Sequence, residues 1–346
     1  TQEIKYTGQA TLTVNLMEDT QKLEEVVVVG YGTQKKVNMT GAVAQIDSKA
    51  LENRPVQNVS TALQGTMPGV QVTSGGGRPG QDGGTIRVRG VGTLNTADPY
   101  ILVDGIETGT MNSVDPNDIE SISVLKDASA TAVYGVRGAN GVILVQTKRG
   151  KLGKPTVNVH FEQSFTQPTK LPQYIGSAEY LTLLNEIAKD NGQQQSPYSQ
   201  ETIDHYINRT DPDLYPDVNW MDLITKDFAM NQRADITVNG GSDILRYAVV
   251  GSYYGEQGIF ERDKSQSWNS GTHLNKFNLR SNVDINITKT TQLTVSVGGY
   301  LQEMNKMAIS SDDAFSGAFE TPPFIHPAYY KEDDNIYFPV VNQRVN

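Results

Sequence analysis

The sequence predicts an α+β domain followed by the first antiparallel strands of a transmembrane β-barrel. Three observations carry that prediction. From about Thr40 to Gly150, glycine clusters separate short strand-like runs from small helical pieces. After Pro155, five segments alternate apolar and polar side chains over about ten residues each, the length of a tilted strand that crosses a bilayer. Tight turns and long excursions alternate between these segments, as periplasmic turns and extracellular loops do in an outer-membrane barrel.

Composition narrows the classes. The chain of 346 residues carries a net charge of −10 and no long basic run, which argues against nucleic acid as a partner, because phosphate binding needs clustered Lys and Arg. Only 37% of the residues are hydrophobic, and apolar runs such as Val26–Val29 stay far short of the ~18 residues of a membrane helix. A β-barrel escapes that test, since its strands alternate. The absence of cysteine excludes disulfides, thiolate metal sites and cysteine nucleophiles. Thr1 in place of Met, the lack of a signal-peptide core in residues 1–20 and the apolar run before Arg344-Val345-Asn346 predict that both ends are cuts in a longer protein.

In chain order, residues 9–17 set Leu12, Val14 and Leu16 against Thr11, Thr13 and Asn15. One strand cannot fold alone, so this one predicts a preceding small β-domain. Residues 18–25 are charged and read as a linker into Val26–Val29. The next domain carries the glycine cluster at 75–84 and strand-like runs at 85–90, 99–106, 119–125 and 141–150. Ser60 to Gln64 reads as a capped turn, and 128–135 as a small Ala-rich helical piece.

The alternating segments follow. Val157, Val159 and Phe161 oppose Asn158, His160 and Glu162; Ala234, Ile236 and Val238 oppose Arg233, Asp235 and Thr237. Leu245, Tyr247 and Val249 then oppose Arg246, Ala248 and Val250. Phe277, Leu279, Val283 and Ile285 oppose Asn278, Arg280, Asn282 and Asp284, and Leu293, Val295 and Val297 oppose Gln292, Thr294 and Ser296. The turns at 239–243 and 288–290 are tight, whereas 166–231 and 257–273 are long. A soluble sandwich can alternate in the same way but rarely needs a loop of roughly sixty residues. That loop has its own punctuation: 177–192 shows a Ser start, helical apolar spacing and a Gly stop, and 199–208 opens on Ser199 with Glu201 and Asp204 early. Tyr215, Trp220 and Phe228 read either as packing on the barrel rim or as substrate contacts.

The blocks at 24–43 (EEVVVVGYGTQKKVNMTGAV), 60–72, 77–95, 98–107 and 115–150 (DPNDIESISVLKDASATAVYGVRGANGVILVQTKRG) resemble the plug of SusC/RagA-type TonB-dependent outer-membrane transporters. Beyond 155 the resemblance rests on the strand–loop pattern and on YPDVNWMDLI at 215–224. It implies a plug domain over 40–150, inside a barrel of about 22 strands when complete. It also implies that 151–346 begins that barrel, with a long extracellular loop at 166–231. Residues 1–20 would then end a carboxypeptidase-regulatory-like β-sandwich extension, and 21–39 would be a linker holding a TonB-box-like segment.

Within that frame, Glu25, Val26, Val27, Val28 and Val29 are the expected TonB-interaction segment. Four β-branched residues favour an extended backbone that TonB can capture by edge pairing, although a valine run is also what an ordinary buried strand looks like. Arg87 and Arg89 alternate with Ile86 and Val88, which places both guanidinium groups on one face of a strand. They either face solvent or pair with carboxylates of the inner wall as a plug–barrel contact. The resemblance further implies the TonB-ExbB-ExbD complex, a SusD-like surface lipoprotein, outer-membrane lipid and an oligosaccharide or peptide substrate as partners, with the plug facing the periplasm of a Gram-negative cell.

Other chemistry is not expected. The glycine cluster at 75–84 lacks the Gly-Lys-Ser/Thr of a phosphate loop, and 135–141 lacks the strand-before, helix-after context of a dinucleotide site. Asp115, Asp118 and Asp127 lack calcium-loop spacing, Asp312-Asp313 reads as solvated surface, and four dispersed histidines form no metal motif. No catalytic constellation and no cofactor site are found. The function predicted is active import. The alternatives are a receptor that signals occupancy through its N-terminal extension, and a cell-surface hydrolase, which would need two convergent carboxylates.

Overall fold

Short elements separated by glycine and proline turns give way, near residue 153, to long paired strands. The computed structural model describes residues 26–29, 32–35, 43–52, 58–81, 83–93, 96–262, 271–307, 309–332 and 335–337. The strand expected at 9–17, the linker at 18–25 and Glu25 lie outside these residues. Strands β1 (Val26–Val29) and β2 (Gly32–Lys35) pair antiparallel as a hairpin separate from the other sheets.

The α+β body then runs β3 (Val43–Asp47), α1 (Ser48–Glu52), α2 (Val59–Ala62), β4 (Val70–Ser74), β5 (Gly84–Val88), β6 (Tyr100–Val103), β7 (Ile106–Glu107), β8 (Ile119–Leu125), α3 (Ala128–Thr131) and β9 (Val142–Thr147). Its main sheet has the order β3-β8-β9-β6-β7, with β6 and β9 parallel and the other neighbours antiparallel. β4 and β5 form a hairpin of their own. The run expected as one strand at 99–106 is two, because Asp104 (φ 49°) and Gly105 (φ 84°) reverse the chain in a left-handed turn. β3 and β4 were not anticipated; each is five residues long and neither alternates cleanly.

One apolar cluster lies between α2, the β4–β5 hairpin and a face of the main sheet, where Val59, Leu63, Ile119, Ile122 and Ile143 are fully buried. A smaller one on the opposite face joins Leu102, Leu125, Val142 and Leu144 to Tyr100 and Tyr134. β8 and β9 are therefore covered on both sides, which is why β9 opens on the apolar run Val142–Val145 rather than alternating.

Strands β10 (Gly153–Thr166), β11 (Ala229–Gly241), β12 (Leu245–Gln257), β13 (His273–Asn286) and β14 (Gln292–Asn305) form one antiparallel sheet in chain order. Each is 13 or 14 residues long, more than the ten or so of the alternation, because polar rows continue the pairing beyond the apolar band. Register fixes two faces. One row joins Phe161, Ala234, Tyr253, Phe277 and Leu301, and the next of the same parity joins Val159, Ile236, Gly251, Leu279 and Gly299. These rows point away from the body, and Val159 remains 74% exposed and Leu279 62%. The interleaved rows, His160–Asp235–Ser252–Asn278–Tyr300 and Asn158–Thr237–Val250–Arg280–Gly298, point toward it. A polar face against a packed body and an apolar face against nothing is the pattern of a barrel wall. No described helix is long and apolar enough to cross a membrane.

Between β10 and β11 lie α4 (Ser177–Asp190), α5 (Gln200–Asn208) and α6 (Trp220–Ile224), and after β14 comes α7 (Ser311–Glu320). The short strands Tyr330–Glu332 and Asn335–Tyr337 follow as a final hairpin. Ser199 caps α5, its Oγ accepting from the Thr202 amide at 3.1 Å. α4 is capped from a distance: Asp217 accepts from the Ser177 amide at 2.7 Å, and Ser177 Oγ donates to the Pro216 carbonyl. The aromatic residues of this excursion are used in packing. Tyr215 stacks on His205 with centroids 4.5 Å apart, Trp220 Nε1 donates to the Pro322 carbonyl, and Phe228 meets Phe165 edge-on. Asp312 and Asp313, expected on a solvated loop, instead form the first turn of α7, where negative charge suits the helix dipole; Ser310 caps that turn.

Candidate functional site

The densest set of contacts between body and wall starts from four residues, Asp115-Pro116-Asn117-Asp118. Proline fixes the backbone of a single 3-10 turn, and Asp115 caps it, accepting from the Asn117 amide at 2.9 Å. The turn leads directly into β8, so its carboxylates are held at the head of the most buried strand of the body.

Three wall strands meet this turn. Asp115 accepts from Ser252 Oγ at 2.9 Å and pairs with Arg233 at 3.4 Å, with both side chains buried. Arg233 also lies over the Tyr254 ring at 5.3 Å. Asn117 donates to Asp235 at 2.9 Å, and His160 Nδ1 lies 3.2 Å from the same carboxylate oxygen. Asp118 accepts from Asn278 at 2.9 Å and from Arg280 Nε at 3.2 Å. Arg280 crosses over Gly298 of the neighbouring strand, where a Cβ would come within 3.0 Å of the guanidinium carbon.

The contacts continue along the wall. Toward the hairpin turns, Arg280 approaches Asp104 at 4.0 Å, and Arg149 lies between Asp104 at 3.7 Å and Asp284 at 3.6 Å. Asn282 donates to Thr147 Oγ1 and to the Lys148 carbonyl, each at 2.8 Å. Gly150 then brings the chain so close to β12 that a Cβ there would lie 2.2 Å from the Tyr247 amide nitrogen. Toward the long loops, Lys276 donates to the Asn112 carbonyl at 3.1 Å, and Arg78 pairs with Asp312. Basic and acidic groups thus alternate between body and wall over most of the wall's height.

Asp118 has the most perturbed carboxyl of the set. Burial pushes it up to about 6, the nearby Asp115 adds to the rise, and the hydrogen bond from Asn278 and the charge of Arg280 pull it back. Its second oxygen, Oδ1, has no hydrogen-bond partner among the described residues.

Above the body, at the long-loop end, a cavity of about 960 Å³ opens between the 77–79 turn, the segment 166–172, the ends of β11 and β12, and α7. Phe260, Phe315, Phe319 and Leu171 give it apolar walls, and Arg78 and Glu256 give it charge.

Among the described residues, Arg87 and Arg89 pair within the body and not with the wall strands β10–β14. Arg87 pairs with Asp98, and Arg89 with Asp127. Nor do they share a strand face, because β5 ends at Val88 and Arg89 adopts φ 60° before Gly90 at 87°. Their alternation with Ile86 and Val88 was genuine for only one arginine. The residues that do bridge body and wall were visible in the sequence only as aspartates without calcium-loop spacing and as the polar side of alternating strands.

The TonB-dependent Receptor Plug Domain family matches residues 35–142, which is the body. TonB-dependent receptor P26 of Formosa agariphila is 35% identical over 317 residues, 87% of this chain and 30% of that protein. TonB-dependent receptor SusC of Bacteroides thetaiotaomicron is 32% identical over 335 residues, 94% of this chain and 30% of that protein. The chain belongs to the SusC/RagA-type TonB-dependent receptors. The body is therefore the plug, and β10–β14 are strands of the barrel wall. The RagAB peptide importer in its open-open state has the same fold, with a TM-score of 0.72 at 24% identity over 91% of this chain and 38% of that one. The chain spans about 30% of the length of the relatives it matches, so what it displays is the plug and the strands that hold it.

Proposed function

We propose that this receptor imports an oligosaccharide or a peptide across the outer membrane, driven through TonB, with the plug facing the periplasm and no catalytic step of its own. The observation that carries the reading is the plug seated against the barrel wall by exchangeable polar contacts. Cargo rests in the cavity above the 77–79 turn, beneath a SusD-like lipoprotein. TonB, energised by its ExbB-ExbD partners, captures the segment Glu25–Val29 by strand pairing.

Force on that segment enters the plug at β3, which is an edge strand of its sheet and, among the described residues, pairs only with β8. β8 follows directly on the Asp115–Asp118 turn, so tension on β3 is relayed to the contacts that hold the plug to the wall. Those contacts are between hydrogen-bonding groups that water can take over when the plug shifts, and each contributes only about 0.5–1.5 kcal/mol net, more where a charge takes part. An arrangement of this kind releases under load and re-forms when the load is removed.

Deleting Glu25–Val29 from the full-length receptor is expected to abolish uptake while leaving cargo binding at the cell surface intact. Undiminished uptake in that variant would rule the mechanism out.

A further inference from the structure

The wall carries a second built feature, on the face turned away from the plug. Between the long-loop ends of β11, β12 and β13 lies a cavity of about 380 Å³ whose lining includes Lys226, Arg262, His273, Gln232 and Asn275. Strand parity decides which side it faces. Gln232, Gly255 and Asn275 occupy one register row of the outward face, one step above the row Ala234–Tyr253–Phe277.

On β12 and β13 that step is where the apolar band ends, whereas on β10 and β11 Phe165 and Met230 carry it one row further. Below it the outward side chains of β13 are Phe277, Leu279, Ser281, Val283 and Ile285, and Tyr253 heads those of β12. Tyr253 marks the boundary atom by atom. Its ring leans over Gly255, where a Cβ would lie 2.5 Å from the phenol oxygen, and its hydroxyl donates to Asn275 Oδ1 at 3.0 Å. An aromatic ring at the edge of an apolar band with its hydroxyl in the polar row above is how tyrosine sits at a membrane surface.

Among the described residues that line the cavity the charges are mostly basic, with Glu303 one strand away in the same outward row as Asn275. Lys226 is half-buried and donates to the Gly258 carbonyl at 3.1 Å, leaving further ammonium donors, and Arg262 is exposed. His273 is half-buried beside them, and the buried Glu256 is the acidic group in the lining. Two permanent cations at headgroup depth, beside amide and imidazole groups, suit a phosphate that is carried on a lipid and so presented at that height.

We propose that this cavity binds the phosphorylated headgroup of an outer-leaflet glycolipid, held by Lys226 and Arg262. The inference rests on the membrane orientation proposed above. It gives the wall a fixed lipid at the level where the β12–β13 loop leaves the membrane, close to the mouth of the cargo cavity, which shares Glu256, Gln257 and Thr272 with it.

The test uses the full-length receptor in phosphatidylcholine nanodiscs doped with bisphosphorylated lipid A, with retained lipid counted by native mass spectrometry. Wild type is expected to retain at least about tenfold more lipid A than Lys226→Ala/Arg262→Ala, corresponding to the loss of charge-assisted contacts. It should also discriminate against dephosphorylated lipid A, and millimolar inorganic phosphate should not displace the lipid. The charge-conserving pair Lys226→Arg/Arg262→Lys should keep binding, which separates loss of charge from misfolding. Equal retention by wild type and the Ala pair would overturn the proposal, as would displacement by inorganic phosphate alone. Fractionation of the same cells reports separately on orientation and location: a receptor absent from the outer membrane overturns the import reading, whereas a correctly inserted receptor with unselective lipid binding overturns only this inference.

Discussion

Inside the plug, Leu63, Ile122 and Ile143 are fully buried among other aliphatic side chains, whereas at its boundary with the wall the buried side chains are Asp118, Arg233, Asn278 and Asn282. Both regions exclude water, yet they would separate differently. Apolar surface released to water regains nothing, at a cost of roughly 25 cal/mol per Å². Polar groups released to water exchange one set of hydrogen bonds for another. The contrast teaches where a pulled plug should yield: at the wall before its own interior.

The largest expected effect tests the interior. Ile122→Ala removes a fully buried side chain from the main cluster and should cost the plug about 2–5 kcal/mol. Hydrogen exchange should show it as faster opening of β8 and β9, with β11–β13 unchanged. If the wall amides lost protection equally, plug and wall would be one cooperative unit and the contrast would fail.

Next comes the boundary. Arg280→Ala leaves Asp118 buried without its guanidinium partner, and about 1.5–3 kcal/mol of plug–wall stability should go with it, the range for a hydrogen bond to a charged group. The loss is limited because Asp118 is already near the point of taking a proton. Adding Asp118→Asn should recover part of it, seen as a partial return of the urea midpoint for plug release. A double variant as weak as the single one would mean that Arg280 acts elsewhere.

A smaller effect is set by pH. The carboxyl of Asp118 is raised from 3.8 to about 6, chiefly by burial, so the folded receptor holds this proton more tightly than the unfolded chain does. Its contribution to stability is therefore complete below pH 3.8 and is lost as the pH rises through about 6, and the part that comes from the wall bears on seating. Asp118→Asn should flatten the difference in plug-release midpoint across that window. The same slope in wild type and variant would assign the pH dependence to another group.

How much of this was legible in the sequence follows the same contrast. The wall's two faces could be read because a half-buried strand alternates, and Val159, Ile236 and Leu279 fall on the face that their spacing gives them. The helices at Ser177–Asp190 and Gln200–Asn208 were legible from spacing and end signals. The β1–β2 hairpin was only half visible, since the valines announce a strand but not that Gly32–Lys35 pairs with it. The boundary was the least legible part. Arg87 and Arg89 drew attention because they alternate, yet they settle on Asp98 and Asp127 nearby, in partly exposed pairs of the kind that contribute ~0–1 kcal/mol. Asp115 and Asp118 showed only that they lack calcium-loop spacing, because their partners Arg233 and Arg280 lie more than a hundred residues away and only the closure of plug on wall brings them together.

The proposed import requires the plug to part from the wall at these contacts. These 346 residues hold no cysteine, so Asn117→Cys and Asp235→Cys, made in a full-length receptor cleared of any cysteine elsewhere, introduce a unique thiol pair across a contact whose native side chains meet at 2.9 Å. Joined by a short reducible crosslinker in the full-length receptor, the pair should stop uptake, leave surface binding of cargo unchanged and restore uptake on reduction. Uptake that continues at the wild-type rate with the crosslink intact would contradict the account.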